Sequence, residues 1–372
     1  MTEIIICIGL ISISVYLMIL IYIFVGTLRH DIEYTKDKPY VSVIITAHNE
    51  SRDIASCLDA ICQQSYPAKK LEIIIVNDRS TDNTRDIIRL YQKQNTQIKV
   101  ISIEETQQKS PKKFALDKGI STTQGEIILT TDADCIPPIH WVSKVVSCFT
   151  PETGMVVGFA PLRRTSWWLS PLMCIDALVA GLTAQATLGW GHAVTCAGRN
   201  MAYRKRVFIE AGGFSGIEHI LTGDDDLFMQ KVARQTDWKI GFIADPLSAV
   251  YSTAPVRWSH FLSQRKRHIS GSKYFPRIIQ VGYVSYFVSK MYIVSLFIIC
   301  ILIGTGYYFS LTLLLFFLLP TMIMLSWFSY KTGQIHLLIY YPLWEIYYLV
   351  TNLFLAPFAL TGHINWGERH AA

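Results

Sequence analysis

The chain has 372 residues, of which 51% are hydrophobic and 17% are charged, and its formal net charge is +6. This apolar balance indicates a soluble domain joined to membrane-embedded segments. The charge is modest and no nucleic-acid-binding motif accompanies it, so nucleic acid is not an expected partner. The eight cysteines form no CxxC pair and no metal-finger spacing, which is typical of reduced thiols.

A long uncharged segment opens the chain. Residues 4–26 exceed the roughly 20 apolar residues that cross a bilayer, so residues 1–28 are predicted to form a transmembrane helix. A cleaved signal peptide would start with cations, whereas this chain starts with Met-Thr-Glu. The basic residues that follow, from Arg29 to Lys38, favour a cytoplasmic location for the next domain, as in a protein of a bacterial-type inner membrane.

Residues 38–280 are predicted to form that soluble domain. Four short runs are continuously apolar or β-branched, as in strands that are buried on both faces: 41–46, 71–76, 99–103 and 126–131. Helical patterns lie between them at 49–64 and 80–94. This alternation predicts an α/β fold with a doubly wound, mostly parallel sheet, and such sheets bind ligands beyond the carboxyl ends of their strands.

Polar side chains follow three of these strands. They are His48, Asn49, Glu50, Asp78, Asp82, Asp132 and Asp134. Asp82 or Asn83 is expected to cap the next helix. Asp132 and Asp134 precede two prolines instead, and two neighbouring carboxylates repel each other unless a cation lies between them. Mg²⁺ or Mn²⁺ would suit them, because hard divalent ions take carboxylate and phosphate oxygens together.

Six motifs occur in an order that resembles family 2 glycosyltransferases, the inverting enzymes with a GT-A fold. They are VSVIITAHNE, VNDRSTDNT, PKKFALDKGI, TTDADC, GDDDL and QRKRH. The resemblance covers roughly residues 38–275 and implies a nucleotide-sugar donor, a divalent metal and transfer with inversion. One D-x-D motif alone would be weak evidence for this resemblance, but six motifs in order are strong evidence.

The resemblance also implies roles for single residues. Those matching the donor-binding positions are Ala47, Asn49, Glu50, Asp78, Lys112 and Asp132, and the metal ligands would be Asp132 and Asp134. The resemblance does not decide whether Lys112 or Lys113 faces the donor, because Pro111 stands where the family has a glycine.

GDDDL resembles the element that carries the catalytic base. It aligns Asp224 with the base and Asp226 with the last acid, at the acceptor site, while Gly223 stands where a glutamate is usual. A shift of one would make Asp225 the base. The alternative is that these aspartates cap the following helix, although one would suffice.

QRKRH resembles an element that closes over the donor diphosphate. Gln264 and Arg267 match it, and His268 stands where tryptophan is expected. The missing aromatic platform argues against a processive polysaccharide synthase. The alternative for the basic residues here and at Lys273 and Arg277 is a collar that contacts anionic lipid.

Residues 165–191 are apolar enough to be mistaken for a membrane span. A crossing would place the D-x-D and GDDDL aspartates on opposite sides of the membrane, so an interfacial helix with Trp167, Trp168 and Trp190 at headgroup depth is expected, with plain domain core as the alternative. Gly198 and Asn200 follow and resemble acceptor-binding positions.

Residues 283–360 form a predicted C-terminal membrane region, followed by a tail at 361–372. Two spans are expected at 284–308 and 311–330, and a third segment, 335–360, either crosses or dips in and returns. Glu345 within it is either a functional intramembrane carboxylate or an interfacial or partnered residue.

Together these features predict a membrane-bound inverting glycosyltransferase with one N-terminal and two or three C-terminal transmembrane helices. It would transfer a sugar from a nucleotide sugar, with uridine favoured by the resemblance, to a lipid or lipid-linked acceptor at the cytoplasmic face. The alternatives are a processive polysaccharide synthase and a membrane protein that binds nucleotide sugar without catalysis.

Overall fold

The computed structural model describes residues 2–105, 110–304 and 307–361. Its helices are α1 (Thr2–Arg29), α2 (Ile54–Cys62), α3 (Thr84–Gln94), α4 (Pro111–Thr122), α5 (Trp141–Val146), α6 (Ser170–Gly189), α7 (Lys205–Glu210), α8 (Asp226–Gln235), α9 (Trp258–Gly271), α10 (Arg277–Ile303), α11 (Tyr307–Lys331) and α12 (Tyr341–Thr361). Its strands are β1 (Val41–Ala47), β2 (Leu71–Asp78), β3 (Ile98–Ile103), β4 (Ile127–Asp132), β5 (Thr153–Gly158), β6 (Leu162–Arg163), β7 (Met201–Arg204), β8 (Lys239–Ile243) and β9 (Ser252–Thr253).

Seven strands form one sheet in the order β3-β2-β1-β4-β7-β5-β8. Only β7 is antiparallel to its neighbours, β4 and β5, so the predicted doubly wound, mostly parallel sheet is confirmed. The four predicted strands are β1 to β4. The strand order reverses between β1 and β4, and this reversal opens a crevice at the carboxyl ends of the strands.

Two hydrophobic clusters cover the two faces of the sheet. Val43 and Ile45 of β1 pack in the cluster that includes Leu58 of α2. Ile44 points to the other face and belongs to a cluster that continues through α6 to Tyr16 of α1. The sheet and the apolar helices therefore share one core.

α6 joins the two parts, and most of its residues are buried. It approaches α1 closely, since a Cβ on Gly26 would lie 2.1 Å from the carbonyl oxygen of Ala186, and one on Gly189 would lie 2.0 Å from the carbonyl oxygen of Gly26. Trp190 stacks on Tyr22 of α1 with 5.4 Å between ring centroids. α6 thus packs as core, and the interfacial position of residues 165–191 stays a prediction.

Four helical segments in the described ranges are long and apolar enough to cross a membrane: Gly9–Arg29, Ser170–Gly189, Arg277–Ile303 and Leu311–Lys331. The predicted span 284–308 is wrong in its bounds, because α10 begins at Arg277, directly after Pro276, and ends where Gly304 takes a φ of 72°. The third predicted segment is a 3₁₀ helix, Ile335–Tyr340, followed by α12. The tail beyond 361 lies outside the described residues.

Glu345 of α12 has partners. Lys290 of α10 lies 2.6 Å from its Oε2, and the Tyr341 hydroxyl donates to Oε1 over 2.5 Å. Of the two alternatives for Glu345, the structure favours the partnered residue.

Candidate active site

The D-x-D segment lies at the crevice. Asp132 is the last residue of β4 and pairs in register with Thr46 of β1. Oxygen atoms of Asp132 and Asp134 and the Cys135 sulfur lie within 4.8 Å of one another. The Ser252 hydroxyl donates to Asp134 Oδ2 over 2.8 Å and fixes that carboxylate. Two convergent carboxylates at this spacing suit a hard divalent cation.

A lysine joins the D-x-D segment to GDDDL. Lys112, in the first turn of α4, places Nζ 2.8 Å from Asp132 Oδ1 and 3.0 Å from Asp224 Oδ2. The exposed fractions of the three side chains are 16% for Lys112, 34% for Asp132 and 12% for Asp224. Carboxylates that are 92 residues apart in the chain therefore meet at one ammonium group.

The neighbouring lysine has a different position. Lys113 is buried, and its Nζ donates to the carbonyl oxygens of Ile220 (2.6 Å) and Thr222 (2.5 Å). Burial lowers the pKa of Lys113 to about 8. Lys113 thus holds the loop that precedes GDDDL, whereas Lys112 faces the crevice.

The three aspartates of GDDDL differ in their partners. Asp225 accepts the backbone N–H of Asp226 (2.8 Å) and that of Gly198 (3.1 Å), and so caps α8. Asp226 accepts the backbone N–H of Cys196 over 2.6 Å. Gly223 takes a φ of 79°, a left-handed conformation that glycine adopts without strain. Asp224 is left facing Lys112 and the crevice.

These partners separate the pKa values of the three acids. Burial alone would raise the pKa of Asp224, but Lys112 outweighs it and lowers that pKa. Burial and the Asp224 charge raise the pKa of Asp225, and burial with the Asp225 charge raises that of Asp226. Asp224 is therefore the acid of the three whose charged form is favoured relative to a free aspartate.

Glu50 lies near the D-x-D segment. Burial, together with the charges of Asp134 and Asp132, raises the pKa of Glu50 to about 8. The crevice therefore holds more acid than its lysine neutralises, and an added cation would be attracted to it.

The other donor-binding candidates lie at the ends of β1 and β2. Asn49 has a φ of 56°, and its Oδ1 accepts the backbone N–H of Thr81 over 2.8 Å. Asp78 is buried and lies 2.8 Å from Arg79 Nε. Ala47 is buried at the end of β1 and offers the crevice only backbone groups. Of the two predicted capping residues, Asp82 accepts the backbone N–H of Thr84 (3.0 Å), the first residue of α3, whereas Asn83, at the N-cap position, makes no side-chain capping bond.

The two acceptor candidates before β7 lie in different surroundings. Gly198 is close to Asp224, since a Cβ on Gly198 would lie 3.3 Å from Asp224 Oδ2. Asn200 is buried and donates to the carbonyl oxygens of Phe159 (2.8 Å) and Ser248 (2.9 Å), while it accepts from Trp141 Nε1 (2.9 Å). The structure places Gly198 at the crevice, whereas the side chain of Asn200 is occupied by these three structural hydrogen bonds.

The residues of QRKRH lie on α9. Gln264, Arg267 and His268 are spaced i, i+3 and i+4 on one side of this helix. Gly271 follows on the same side, and a Cβ there would lie 3.1 Å from the Thr222 hydroxyl, next to Gly223. α9 therefore borders the loop that carries Asp224.

The sequence patterns did not single out Ser252, which orients Asp134 from 118 positions away. A small cavity beside Asp134 was also not predicted, and it is lined by Asp53, Ser56, Asp134, Ile136, Arg163, Tyr251 and Thr253. No local pattern could reveal either, because the contributing segments meet only in the folded chain.

Comparisons with known proteins concern the family and the fold of the chain. Residues 42–212 match the sequence model described as glycosyl transferase family 2. The chain is 29% identical over 246 residues to a probable glycosyltransferase, YdaM, of Bacillus subtilis (strain 168), covering 65% of this chain and 57% of that protein. It is 29% identical over 195 residues to a beta-monoglucosyldiacylglycerol synthase of Nostoc sp., covering 51% of this chain and 40% of the synthase. The chain thus spans about half the length of these curated relatives.

A solved structure shares the fold along almost the whole chain. It is a mannosyltransferase from Pyrobaculum calidifontis, in complex with GDP-Man and Mn²⁺. The TM-score is 0.59 at 19% identity, over 95% of this chain and 98% of the other. The α/β architecture described above is therefore of the GT-A type.

Proposed function

Because the chain belongs to glycosyl transferase family 2 through residues 42–212, we propose that it is a membrane-bound glycosyltransferase that moves a sugar from a nucleotide sugar to a lipid or lipid-linked hydroxyl. The observation that carries this proposal is the contact of Lys112 Nζ with both Asp132 and Asp224. It brings the expected diphosphate-binding and proton-accepting groups into one crevice.

The proposed metal site fits its residues. Asp132 and Asp134 would hold Mn²⁺ or Mg²⁺, and such an ion would offset the negative charge of a nucleoside diphosphate. The surplus of carboxylates over ammonium groups in the crevice supports this assignment.

Asp224 is the proposed general base. Its carboxylate would accept the proton of the acceptor hydroxyl as the oxygen of that hydroxyl bonds to the anomeric carbon. The bond from that carbon to the diphosphate oxygen breaks on the opposite face, which inverts the configuration. Lys112 is near enough to stabilise the negative charge on the departing phosphate.

The proposed donor site uses Ala47, Asn49, Glu50 and Asp78 at the ends of β1 and β2, with α9 closing over the diphosphate through Gln264, Arg267 and His268. The neighbour with bound GDP-Man supports a nucleotide-sugar donor in this fold. A uridine nucleotide rests on the motif resemblance alone.

The proposed acceptor is a lipid, reached at the cytoplasmic face. Its site would include Gly198 beside Asp224, and Asp226, with Asn200 acting as support. A core that is continuous from the sheet to the apolar helices supports a crevice held near the bilayer. The diacylglycerol-linked product in a relative's name points the same way.

A matched pair of variants tests the base. Asp224→Asn should lower the release of nucleoside diphosphate by about 100-fold or more, with donor affinity changed by less than about threefold. Asp225→Asn should lower turnover by less than about tenfold, since the asparagine oxygen still caps α8 and only the hydrogen bond from the Gly198 N–H to the second oxygen is lost. Normal turnover in Asp224→Asn would contradict the assignment, and its loss in Asp225→Asn would move the base by one position.

Lipid mass spectrometry of cells with and without the protein would identify the sugar and the acceptor together. A missing glycolipid with one added sugar is expected. A product of many sugars would favour a polysaccharide synthase instead. Donor binding without release of nucleoside diphosphate in any membrane extract would favour a non-catalytic binding protein.

A further inference from the structure

Helix α9 has a second side that faces the apolar helices. Trp258, Phe261 and Arg265 lie on this side, about 100° around the helix from Gln264, Arg267 and Gly271. Phe261 is buried, and its ring centroid lies 6.2 Å from that of Tyr347 on α12. One side of α9 thus borders the active-site loop while the other packs against α12.

Asp176 of α6 lies at the centre of this second contact. Its Oδ2 pairs with Arg265 of α9 and accepts the Tyr347 hydroxyl over 3.2 Å. Its Oδ1 accepts Trp344 Nε1 over 2.6 Å. Arg265 also donates to the Tyr347 hydroxyl over 2.6 Å. Both oxygens of one carboxylate are therefore used to connect α6, α9 and α12.

The charged groups of this network are largely shielded from solvent. Only 19% of the Asp176 side chain and 22% of the Arg265 side chain is exposed, and Trp344 is 1% exposed. Removing one partner would leave a partly buried charge without compensation, which is costly. Asp176 is also the single charge between residues 165 and 191, in a helix that otherwise packs as apolar core. A carboxylate in such a helix is costly unless its partners are in place.

We propose that Asp176 is a positioning residue: through Arg265, with Trp344 and Tyr347, it fixes the rotation of α9 and so sets the affinity for the donor diphosphate. This inference rests on the proposed function, in which Gln264 and Arg267 of α9 contact the donor. It makes the last apolar helix, α12, part of the support of the donor site.

The test compares the full-length protein with Asp176→Asn and Tyr347→Phe in detergent. The donor KM should rise roughly tenfold in Asp176→Asn with kcat changed by less than about threefold, because a displaced α9 weakens binding before it affects the base. Tyr347→Phe, which removes only hydrogen bonds, should show a smaller rise of the same kind. Asp176→Asn combined with Arg265→Gln should raise KM no further than Asp176→Asn alone.

Glu126→Gln is the matched control. Glu126 pairs with Arg204 at the amino end of β4, the opposite end of that strand from Asp132, and its loss should leave the donor KM unchanged. Amide hydrogen exchange adds a readout that needs no activity: residues 258–271 should exchange faster in Asp176→Asn and at the wild-type rate in Glu126→Gln. Unchanged exchange in these residues, or an unchanged donor KM with a lower melting temperature, would overturn the inference.

The same data separate the two proposals. If the wild-type protein neither binds nor cleaves any nucleotide sugar, the proposed function is refuted. If α9 of Asp176→Asn nevertheless exchanges faster than α9 of the wild type, the link from Asp176 to the position of α9 is still supported. A donor KM that is equal in the wild type and in Asp176→Asn would refute the positioning role alone.

Discussion

Lys112 and Lys290 are both held by carboxylates, but their surroundings differ. Lys112 meets Asp132 and Asp224 in a crevice where all three side chains are 12% to 34% exposed. Lys290 meets one carboxylate, Glu345, and the two side chains are 0% and 3% exposed. Aromatic rings surround Lys290, with the Tyr286 centroid 4.7 Å and the Tyr348 centroid 5.1 Å from its Nζ.

The difference shows what distinguishes a candidate binding site from a structural contact. The Lys290 pair is balanced in charge and closed to solvent, so it can only connect α10 to α12. The crevice at Lys112 has more carboxylates than cations and stays open, so it can exchange its contacts for those of a ligand. The balance of charge and the access of solvent, and not the residue types, decide which role applies.

The largest effect is expected at the closed pair. Lys290→Met should lower the free energy of unfolding by roughly 3–5 kcal/mol, because Glu345 would be buried without its partner. Thermal unfolding in detergent measures this. Lys290→Met combined with Glu345→Met should recover most of the loss. If Lys290→Met melts at the same temperature as the wild type, the Lys290–Glu345 pair does not stabilise the fold, and its contrast with Lys112 fails.

At the open site, removal of a carboxylate should affect binding more than stability. Asp134→Ala should weaken Mn²⁺ binding in the presence of a nucleoside diphosphate by at least about 100-fold, since ligand charge sets the affinity of hard cations. Ser252→Ala, which frees Asp134 to rotate, should weaken it by about tenfold. Electron paramagnetic resonance of free Mn²⁺ gives both values. Equal affinity in Asp134→Ala and the wild type would place the metal elsewhere.

The two adjacent lysines sharpen the comparison within one helix turn. Lys112→Met should reduce turnover by roughly 10- to 100-fold, because it removes a preorganised positive charge, with little change in melting temperature. Lys113→Met should cost about 1–3 kcal/mol of stability, since two buried carbonyl oxygens lose their donor. Turnover and melting curves of both variants check this, and the reverse pattern would exchange their roles.

A smaller effect, a pH dependence of stability, is expected where α1 meets the sheet. His30 follows α1, and its Nε2 accepts the backbone N–H of Phe242 on β8 over 3.0 Å. Burial lowers the pKa of His30 to about 4, below the value of about 6.5 in an unfolded chain. The stability that neutral His30 contributes is therefore full above pH 6.5 and is lost as the pH falls towards 4.

Melting temperatures at pH 7.5 and pH 5 would measure this dependence. His30→Gln should show a smaller drop between the two, because an amide oxygen can accept from Phe242 without titrating. An equal drop in both proteins would assign the acid sensitivity to other groups.

Several features were predictable because they depend on short stretches of chain. β1 to β4 follow from continuous β-branched runs, and the crevice follows from the acids at their ends. The apolar helices follow from uncharged segments of sufficient length. The start of α10 was missed because hydropathy marks lipid-compatible residues, whereas the helix begins after Pro276 and includes Arg277.

The sequence by itself determined the fold class, the resemblance to family 2 glycosyltransferases and the acids of the candidate site, since these depend on local patterns and their order. The tertiary structure alone decided that Lys112 and not Lys113 faces the crevice, that Asp225 caps α8 while Asp224 stays available, and that Glu345 has a partner. Each of these choices depends on which distant groups come within hydrogen-bond distance and on how much solvent remains around them. Neither quantity exists until the chain has folded.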